Sequence, residues 1–178
     1  MSQTQRYVIF TGPSQSGKTL AAQLLVTAFR TKGLLAMHHS FTYPMKHYLG
    51  TLLGRKVSGI RLEESISELL WKTPRDFLRL EAAHLRFNYG PNVVGRLLQA
   101  RAKQMAIDPK YIVVDDGTSI LDCRTLGDYR LIQITRDNID RVYPFMMPNA
   151  HMTIRNNGTV AQLEAKVRLI ADKLEDEE

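Results

Sequence analysis

Eight consecutive residues near the start of the chain have the types and the spacing that phosphate binding needs. They read Gly-Pro-Ser-Gln-Ser-Gly-Lys-Thr, which fits the pattern G-x-x-x-x-G-K-[ST] at every defined position. The two glycines let the backbone turn closely around an anion, so that the amide groups at the start of the following helix point inward. Lys18 would place its charge on the β- and γ-phosphates, and the Thr19 hydroxyl would ligate Mg²⁺. We predict that all eight residues bind a nucleoside triphosphate: Gly12, Pro13, Ser14, Gln15, Ser16, Gly17, Lys18 and Thr19.

Two adjacent carboxylates form a second candidate group. Asp115 and Asp116 follow the apolar run Tyr-Ile-Val-Val at 111–114, which is typical of a buried strand. An acid at the end of such a strand works with a phosphate loop on Mg²⁺ and its waters. We predict Asp115 as a metal ligand through water, and Asp116 as a group that orients or deprotonates the acceptor hydroxyl. The residue types leave open which acid serves the metal and which serves the acceptor.

The elements that must position these groups can be predicted from hydrophobic periodicity. An aromatic and β-branched run at 7–10 precedes the loop, and residues 20–29 follow it with apolar residues at helical spacing. Further strands are predicted at 34–40, 111–114, 129–134 and 151–154, and helices at 45–53, 62–71, 73–89, 91–105, 120–126 and 159–174. This alternation predicts an α/β fold of three layers, with a mostly parallel sheet of about five strands and helices on both faces. Ligands of such sheets bind at the carboxyl ends of the strands, where both candidate groups lie.

Composition is ordinary for one globular domain, and we expect residues 1–178 to form a single one. Hydrophobic residues make up 44% and charged residues 24% of the chain. Cys123 is the only cysteine, no apolar stretch has the length of a membrane span, and the first residues have no signal-peptide pattern. We therefore expect a cytoplasmic protein, in the host cytoplasm if it is viral. The five histidines have no metal-binding spacing and are expected to be structural.

The formal net charge is +6, and the cations are concentrated between Lys46 and Lys110. One interpretation is a solvated surface together with a site for a polyanionic nucleotide. The other is a track for the backbone of a nucleic acid. Charge alone leaves both interpretations open.

Three further segments make the chain resemble the phage deoxynucleoside monophosphate kinase family, within the P-loop nucleotide kinases. The segment 40–46 resembles that family's Phe, two-residue gap, Pro, apolar residue and Lys after the second strand. The Thr-Pro-Arg start of the helix at 73, with a downstream arginine, and the Asn-Asn-Gly turn at 156–158 resemble two more of its segments. The resemblance loosely covers almost the whole length, and it implies a kinase that uses ATP and Mg²⁺.

The resemblance also implies roles for individual residues. Lys46, Arg75 and Arg86 would bind the acceptor, whereas Phe41 and Tyr43 could either stack on its base or pack in the core. Residues 42–106 would form a helical insertion on the acceptor side. Residues 136–150 would form a lid-like segment, in which Arg136 and Arg141 stabilise charge on the transferring phosphoryl group.

One departure from the family's pattern concerns the acceptor. The acid that closes the third strand is usually followed by Arg and then Glu, whereas this chain has Thr118 and Asp122 at those positions. The missing arginine favours a second, smaller group that resembles the same kinases, namely phage kinases that phosphorylate 5-hydroxymethyluracil within DNA during thymidine hypermodification. The target base would then have to leave the duplex stack or be presented single-stranded.

Three functional hypotheses follow. The favoured one is an ATP-dependent kinase that acts on the hydroxymethyl group of 5-hydroxymethyluracil in phage DNA. The second is a free deoxynucleoside monophosphate kinase that makes diphosphates. The third, a nucleotide-binding switch without a small-molecule acceptor, is disfavoured because the sequence has no Asn-Lys-x-Asp guanine-reading pattern. The sequence does not decide between ATP and GTP, and it does not give the oligomeric state.

Overall fold

The structure is a computed structural model, and it describes residues 5–56, 64–66, 73–105, 107–117, 119–137, 139 and 150–177. The strands in these ranges are β1 (Arg6–Thr11), β2 (Ala36–His39), β3 (Tyr111–Val114), β4 (Tyr129–Thr135) and β5 (Met152–Arg155). The helices are α1 (Lys18–Thr31), α2 (Tyr43–Leu52), α3 (Pro74–Tyr89), α4 (Val93–Lys103), α5 (Ile120–Thr125) and α6 (Val160–Asp176).

The five strands form one sheet in the order β2-β3-β1-β4-β5, and every neighbouring pair is parallel. The central strand β1 is buried on both faces, because Val8 and Phe10 pack on one side and Tyr7 and Ile9 on the other. Strands of this kind require a helical layer over each face. The predicted α/β fold of three layers is therefore confirmed.

Two apolar clusters fill the spaces between the sheet and its helices. The first lies under α1 and α6, and it includes the stacked rings of Phe29 and Tyr111, whose centroids are 4.0 Å apart. The second lies under α2, α3, α4 and α5, and it includes Phe41 and Cys123. All the strands end at the same edge of the sheet, so the turns that follow them are brought together there.

The start of α3 confirms the helix predicted from Thr-Pro-Arg-Asp. The Thr73 hydroxyl accepts a hydrogen bond from the Asp76 amide, and the Asp76 carboxylate accepts one from the Thr73 amide. Pro74 occupies the first turn, where its missing N–H leaves no helical bond unmade. This reciprocal cap fixes the first turn of α3, which contains Arg75.

Two predicted segments are described only in part. Of the helix predicted at 62–71, the structure describes residues 64–66, which are not helical, and the others lie outside the described residues. Of the lid-like segment 136–150, it describes only 136, 137, 139 and 150, so Arg141 lies outside. Thr118 also lies outside the described residues. Within the described ranges, no helix is both long enough and apolar enough to cross a membrane.

Candidate active site

The loop between β1 and α1 has a backbone shape that only glycine fits at two positions. Gly12 and Gly17 have φ angles of 141° and 99°. A Cβ on Gly12 would lie 2.1 Å from the carbonyl oxygen of Ile134, and one on Gly17 would lie 2.5 Å from Nδ2 of Asn156. Both glycines are thus required by neighbouring chain segments as well as by their own backbone angles.

Asn156 stabilises the same loop from the other side of the site. Its Nδ2 donates to the carbonyl oxygen of Ser16 at 2.8 Å. Asn156 belongs to the Asn-Asn-Gly turn noted in the sequence, but it was not predicted to be a site residue. Its position directly after β5 was the only available signal, since the bond to Ser16 spans 140 residues.

Lys18 is folded over the loop that it follows. Its ammonium group donates to the carbonyl oxygens of Gly12 at 3.1 Å and Pro13 at 2.6 Å. Burial lowers the pKa of Lys18, an effect opposed by the charges of Asp115 and Asp116 and increased by Arg75. A half-buried cation among backbone carbonyls is well placed to exchange those partners for phosphate oxygens.

Thr19 and Asp115 meet, as expected of two groups that share a metal ion. The Thr19 hydroxyl donates to Oδ2 of Asp115 at 2.7 Å, and Nε2 of His38 lies 3.4 Å from the same oxygen. The other oxygen, Oδ1, is buried and has no hydrogen-bond partner among the residues that the structure describes. Burial by itself would raise the pKa of Asp115, but the nearby His38 imidazole, the bond from Thr19 and the charge of Lys46 outweigh it and hold the pKa below its usual value.

This arrangement fits Mg²⁺. The ion prefers oxygen ligands and keeps several of its waters, and it is often held by one carboxylate together with a hydroxyl and substrate phosphates. Asp115 supplies an ionised carboxylate with an unused oxygen, and Thr19 supplies the hydroxyl beside it. These two residues would hold the ion.

Asp116 has different surroundings from its neighbour. Its Oδ1 accepts from the amide of Phe41 at 2.7 Å, and its Oδ2 accepts from the Thr42 amide at 3.0 Å. Oδ2 also accepts from the hydroxyls of Ser40 at 2.5 Å and Thr42 at 2.6 Å. Asp116 therefore binds the turn between β2 and α2, whereas Asp115 faces the phosphate loop.

Arg75 connects the first turn of α3 to the phosphate loop. Its Nη2 donates to the Ser14 hydroxyl at 3.2 Å. The predicted acceptor-side arginine is thus brought against the predicted donor loop, and the cap at Thr73 positions it there.

Arg86 lies in the last turn of α3 and is held by a buried acid. Its Nη2 is 2.6 Å from Oδ2 of Asp122, a residue only 2% exposed. The other oxygen of Asp122 accepts from the amide of Gly95 at 2.9 Å. Asp122 was noted in the sequence only as a substitute for glutamate, and its partners 27 and 36 residues away could not be read there.

The remaining predicted residues range from buried to exposed. Phe41 is 3% exposed and packs in the second apolar cluster, so its ring contacts core residues rather than open space. Tyr43 lies beneath the guanidinium of Arg101, 4.0 Å from the ring centroid. Lys46 lies near enough to Asp115 for its charge to lower that residue's pKa. Arg136 is exposed directly after β4, where the lid-like segment begins.

No protein-family model matches the sequence, and no curated protein does. Among solved structures, the chain is similar to the APS kinase of Mycobacterium tuberculosis in complex with AMPPNP and APS, with a TM-score of 0.56 and 16% identity over 97% of this chain and 98% of that one. A mutant of the same kinase has a TM-score of 0.53 and 17% identity, over 97% of this chain and 98% of that one. The chain shares the fold of this kinase. Shikimate kinase from Acinetobacter baumannii aligns over 97% of this chain and 92% of that one at 15% identity, with a lower TM-score of 0.46.

Proposed function

We propose that the protein is an ATP-dependent kinase that transfers the γ-phosphate to a nucleotide-type acceptor. The observation that carries the proposal is the contact between the Thr19 hydroxyl and the Asp115 carboxylate beside a phosphate-binding loop. It supports a Mg²⁺ site at the position where the β- and γ-phosphates would lie. The APS kinase of similar fold was solved with AMPPNP and APS, which supports a nucleotide donor.

Each donor-side residue has a defined task in this proposal. The loop amides and Lys18 hold the β- and γ-phosphates, while Thr19 and Asp115 hold Mg²⁺, which neutralises charge on those phosphates. Arg136 is proposed to stabilise charge on the transferring phosphoryl group from the lid-like segment. Arg75, which reaches Ser14, would lie between the donor and the acceptor.

For the acceptor, we propose the hydroxymethyl group of 5-hydroxymethyluracil in DNA. Its oxygen would form a bond to the γ-phosphorus while the bond from that phosphorus to the β–γ bridging oxygen breaks, so that ADP leaves and the hydroxyl proton passes to solvent. Lys46, Arg75 and Arg86 would contact this acceptor, with Phe41 shaping the wall behind it. The pairing of Arg86 with the buried Asp122 supports this choice. Asp122 offsets the charge of Arg86, and a free nucleotide with a phosphate dianion would require more positive charge than the pair presents.

The cations in the described part of the acceptor side also support a polymeric acceptor. Such groups neutralise the phosphates of a nucleic-acid backbone, which then releases its bound counterions into solution. These cations are Lys46, Arg55, Lys56, Arg75, Arg79, Arg86, Arg96, Arg101 and Lys103.

A free deoxynucleoside monophosphate is the second candidate acceptor. The reach of Arg75 to Ser14 favours it, since a guanidinium beside the phosphate loop is suited to bridge an acceptor phosphate and the γ-phosphate.

The two acceptors are separated by incubating the protein and γ-labelled ATP with DNA that contains 5-hydroxymethyluracil, or with free deoxynucleoside monophosphates. We expect label in the DNA, together with DNA binding that weakens steeply as salt rises. Label in the free nucleotides alone would exclude the DNA acceptor. Release of labelled phosphate without transfer to either acceptor would indicate a hydrolase or switch.

The metal site is tested by Thr19→Val, with Thr27→Val on the exposed side of α1 as the matched control. Loss of one Mg²⁺-linked hydroxyl is expected to lower kcat by about a hundredfold, as for other single groups that stabilise transition-state charge. Thr27→Val should keep the wild-type rate. Equal rates for the two variants would contradict the assignment.

A further inference from the structure

Asp116 joins the end of β3 to the start of α2 through four hydrogen bonds. Two come from the backbone amides of Phe41 and Thr42, and two from the hydroxyls of Ser40 and Thr42. The bond between Asp116 and Ser40 connects residues that are 76 positions apart in the sequence. Both carboxylate oxygens are therefore occupied by protein donors.

These bonds replace a cap that α2 does not have. Its N-cap residue is Thr42, yet the Thr42 side chain makes no capping bond to the helix, because its hydroxyl is directed to Asp116. The amides that precede the helix find the same carboxylate. A negative charge at this end also interacts favourably with the helix dipole.

The turn that Asp116 holds leads directly into the acceptor side of the proposed site. Phe41 is buried against the second apolar cluster, and Lys46 lies one turn into α2, where its charge acts on Asp115. In the described part of the chain, β2 lies at the edge of the sheet and pairs with β3, so few other bonds there fix the position of this turn. The carboxylate next to the metal-binding one thus fixes the wall on which the acceptor would bind.

We propose that Asp116 is a positioning residue, which sets the place of α2 and Lys46 relative to Asp115, and that it does not act as the base. The proposal rests on the proposed kinase function for its effect on the acceptor. A base needs an oxygen free to take the acceptor's proton, and the unoccupied carboxylate oxygen of this pair belongs to Asp115. The two adjacent acids therefore have different roles: Asp115 would act at the donor phosphates, and Asp116 stabilises the structure of the acceptor side.

Two variants separate positioning from proton transfer. Asp116→Asn removes the charge and part of the accepting capacity. Ser40→Ala combined with Thr42→Val keeps the Asp116 carboxylate but removes two of its donors. Thr27→Val, an exposed hydroxyl on α1, is the control for loss of a hydroxyl. Acceptor KM, kcat and its pH profile, ATP affinity and the exchange rates of the Phe41 and Thr42 amides are measured for all of them.

If Asp116 is a positioning residue, both site variants should raise the acceptor KM by about tenfold with an unchanged pH profile, since misplacing a binding wall acts on acceptor binding. ATP affinity should change less than the acceptor KM. A loss of kcat with an altered pH profile in Asp116→Asn, and wild-type kinetics in the Ser40/Thr42 variant, would overturn the proposal.

Amide exchange tests the positioning role of Asp116 even if no acceptor is phosphorylated and the proposed kinase function is wrong. Asp116→Asn should speed exchange of the Phe41 and Thr42 amides by about tenfold, because both donate to the carboxylate. Unchanged exchange at both amides in the folded variant would overturn the positioning role. If Asp116→Asn does not fold, the acceptor KM of the Ser40/Thr42 variant decides instead, and a wild-type value would overturn the positioning role.

Discussion

At the scale of residues, the buried polar atoms without partners in the described structure are concentrated where the strands end. They include Ser16 Oγ, His39 Nε2, Arg86 Nε and Asp115 Oδ1. A buried polar group without a hydrogen bond costs about 1–3 kcal/mol, so a cluster of them is unusual in a folded protein. A bound nucleotide, its metal ion and an acceptor would supply the missing partners for the atoms that face the phosphate loop.

Lys18 gives a prediction about pH. Burial lowers its pKa in the free protein, and the phosphates of ATP would raise it, so a protein that has lost this proton must take one up to bind ATP. ATP affinity should therefore fall as pH rises through the lowered pKa of Lys18, by at most about tenfold per pH unit. Titration of the protein with a fluorescent ATP analogue between pH 7 and 10 measures this slope.

Lys18→Arg is the matched control, because a guanidinium keeps its charge throughout that range. Its ATP affinity should depend less on pH than that of the wild type, whatever its absolute value. The same slope in both proteins would show that another group is responsible.

The pair of Arg86 and Asp122 gives a prediction about stability. Asp122→Ala should lower the free energy of unfolding by about 3 kcal/mol, because it leaves the Arg86 guanidinium and the Gly95 amide without their acceptor. Denaturant unfolding of Asp122→Ala, Arg86→Ala and the double variant measures the coupling of the pair, which should reach about 1–2 kcal/mol.

An exposed pair provides the comparison. Glu164→Ala removes the partner of Arg168 on α6, where the side chains of Arg168 and Glu164 are 69% and 40% exposed. Its effect should stay below about 1 kcal/mol, since solvent screens such pairs. Equal losses for Asp122→Ala and Glu164→Ala would show that the buried pair has no special role.

At the scale of elements, local chemistry explains which parts were predictable from the sequence. Strand β1 before the glycine-rich loop, strand β3 before the two acids and the capped start of α3 were predicted within one or two positions. Each depends on residues that are close together in the sequence. The four-bond environment of Asp116 and the pairing of Arg86 with Asp122 were not, because their partners meet only after the helices pack. For Phe41 the sequence left base stacking and core packing open, and the packing of α2 buries its ring in the second apolar cluster.

The contact between α4 and α5 depends on a glycine within a helix. A Cβ on Gly95 would lie 2.4 Å from the carbonyl oxygen and 2.9 Å from the Cα of Asp122, which are backbone atoms that cannot easily move. Gly95→Ala should therefore destabilise the protein by about 1–3 kcal/mol, although alanine is the better helix former.

Thermal and denaturant unfolding measure this effect, with Lys103→Ala at an exposed position of the same helix as control. The control should change stability by less than about 0.5 kcal/mol. If Gly95→Ala is as stable as the wild type or more stable, the close approach of α4 to Asp122 is wrong.

At the scale of the whole molecule, we expect the sheet and its two helical layers to unfold as one unit. The last turn of α6 is attached to the strands through the carbonyl oxygen of Leu174, which accepts from Arg6 at 3.3 Å and from the Tyr111 hydroxyl at 3.4 Å. Acidic residues near the end of the chain also bind cations elsewhere, as Glu175 does with Lys32. These contacts place the two ends of the described chain on the same side of the sheet.

The reactivity of Cys123 should report this cooperative unfolding. It is completely buried under the sheet, and burial, with the nearby Asp122, raises the pKa of its thiol to about 12. A thiol reagent at pH 8 should therefore modify the native protein only as fast as the molecule unfolds. The labelling rate as a function of denaturant should follow the global unfolding transition measured by circular dichroism; rapid labelling without denaturant would contradict this burial.

The central position of β1 has a consequence for how the protein is made. β1 pairs with β3 and β4, and Arg6 bonds Asp128, which is 122 residues later in the chain. At translation rates of about 5–20 residues per second, β1 leaves the ribosome about ten seconds before its neighbours have been synthesised. During that interval its apolar residues have no strand to pair with, so the nascent chain depends on chaperones or on early packing against α1 to avoid aggregation.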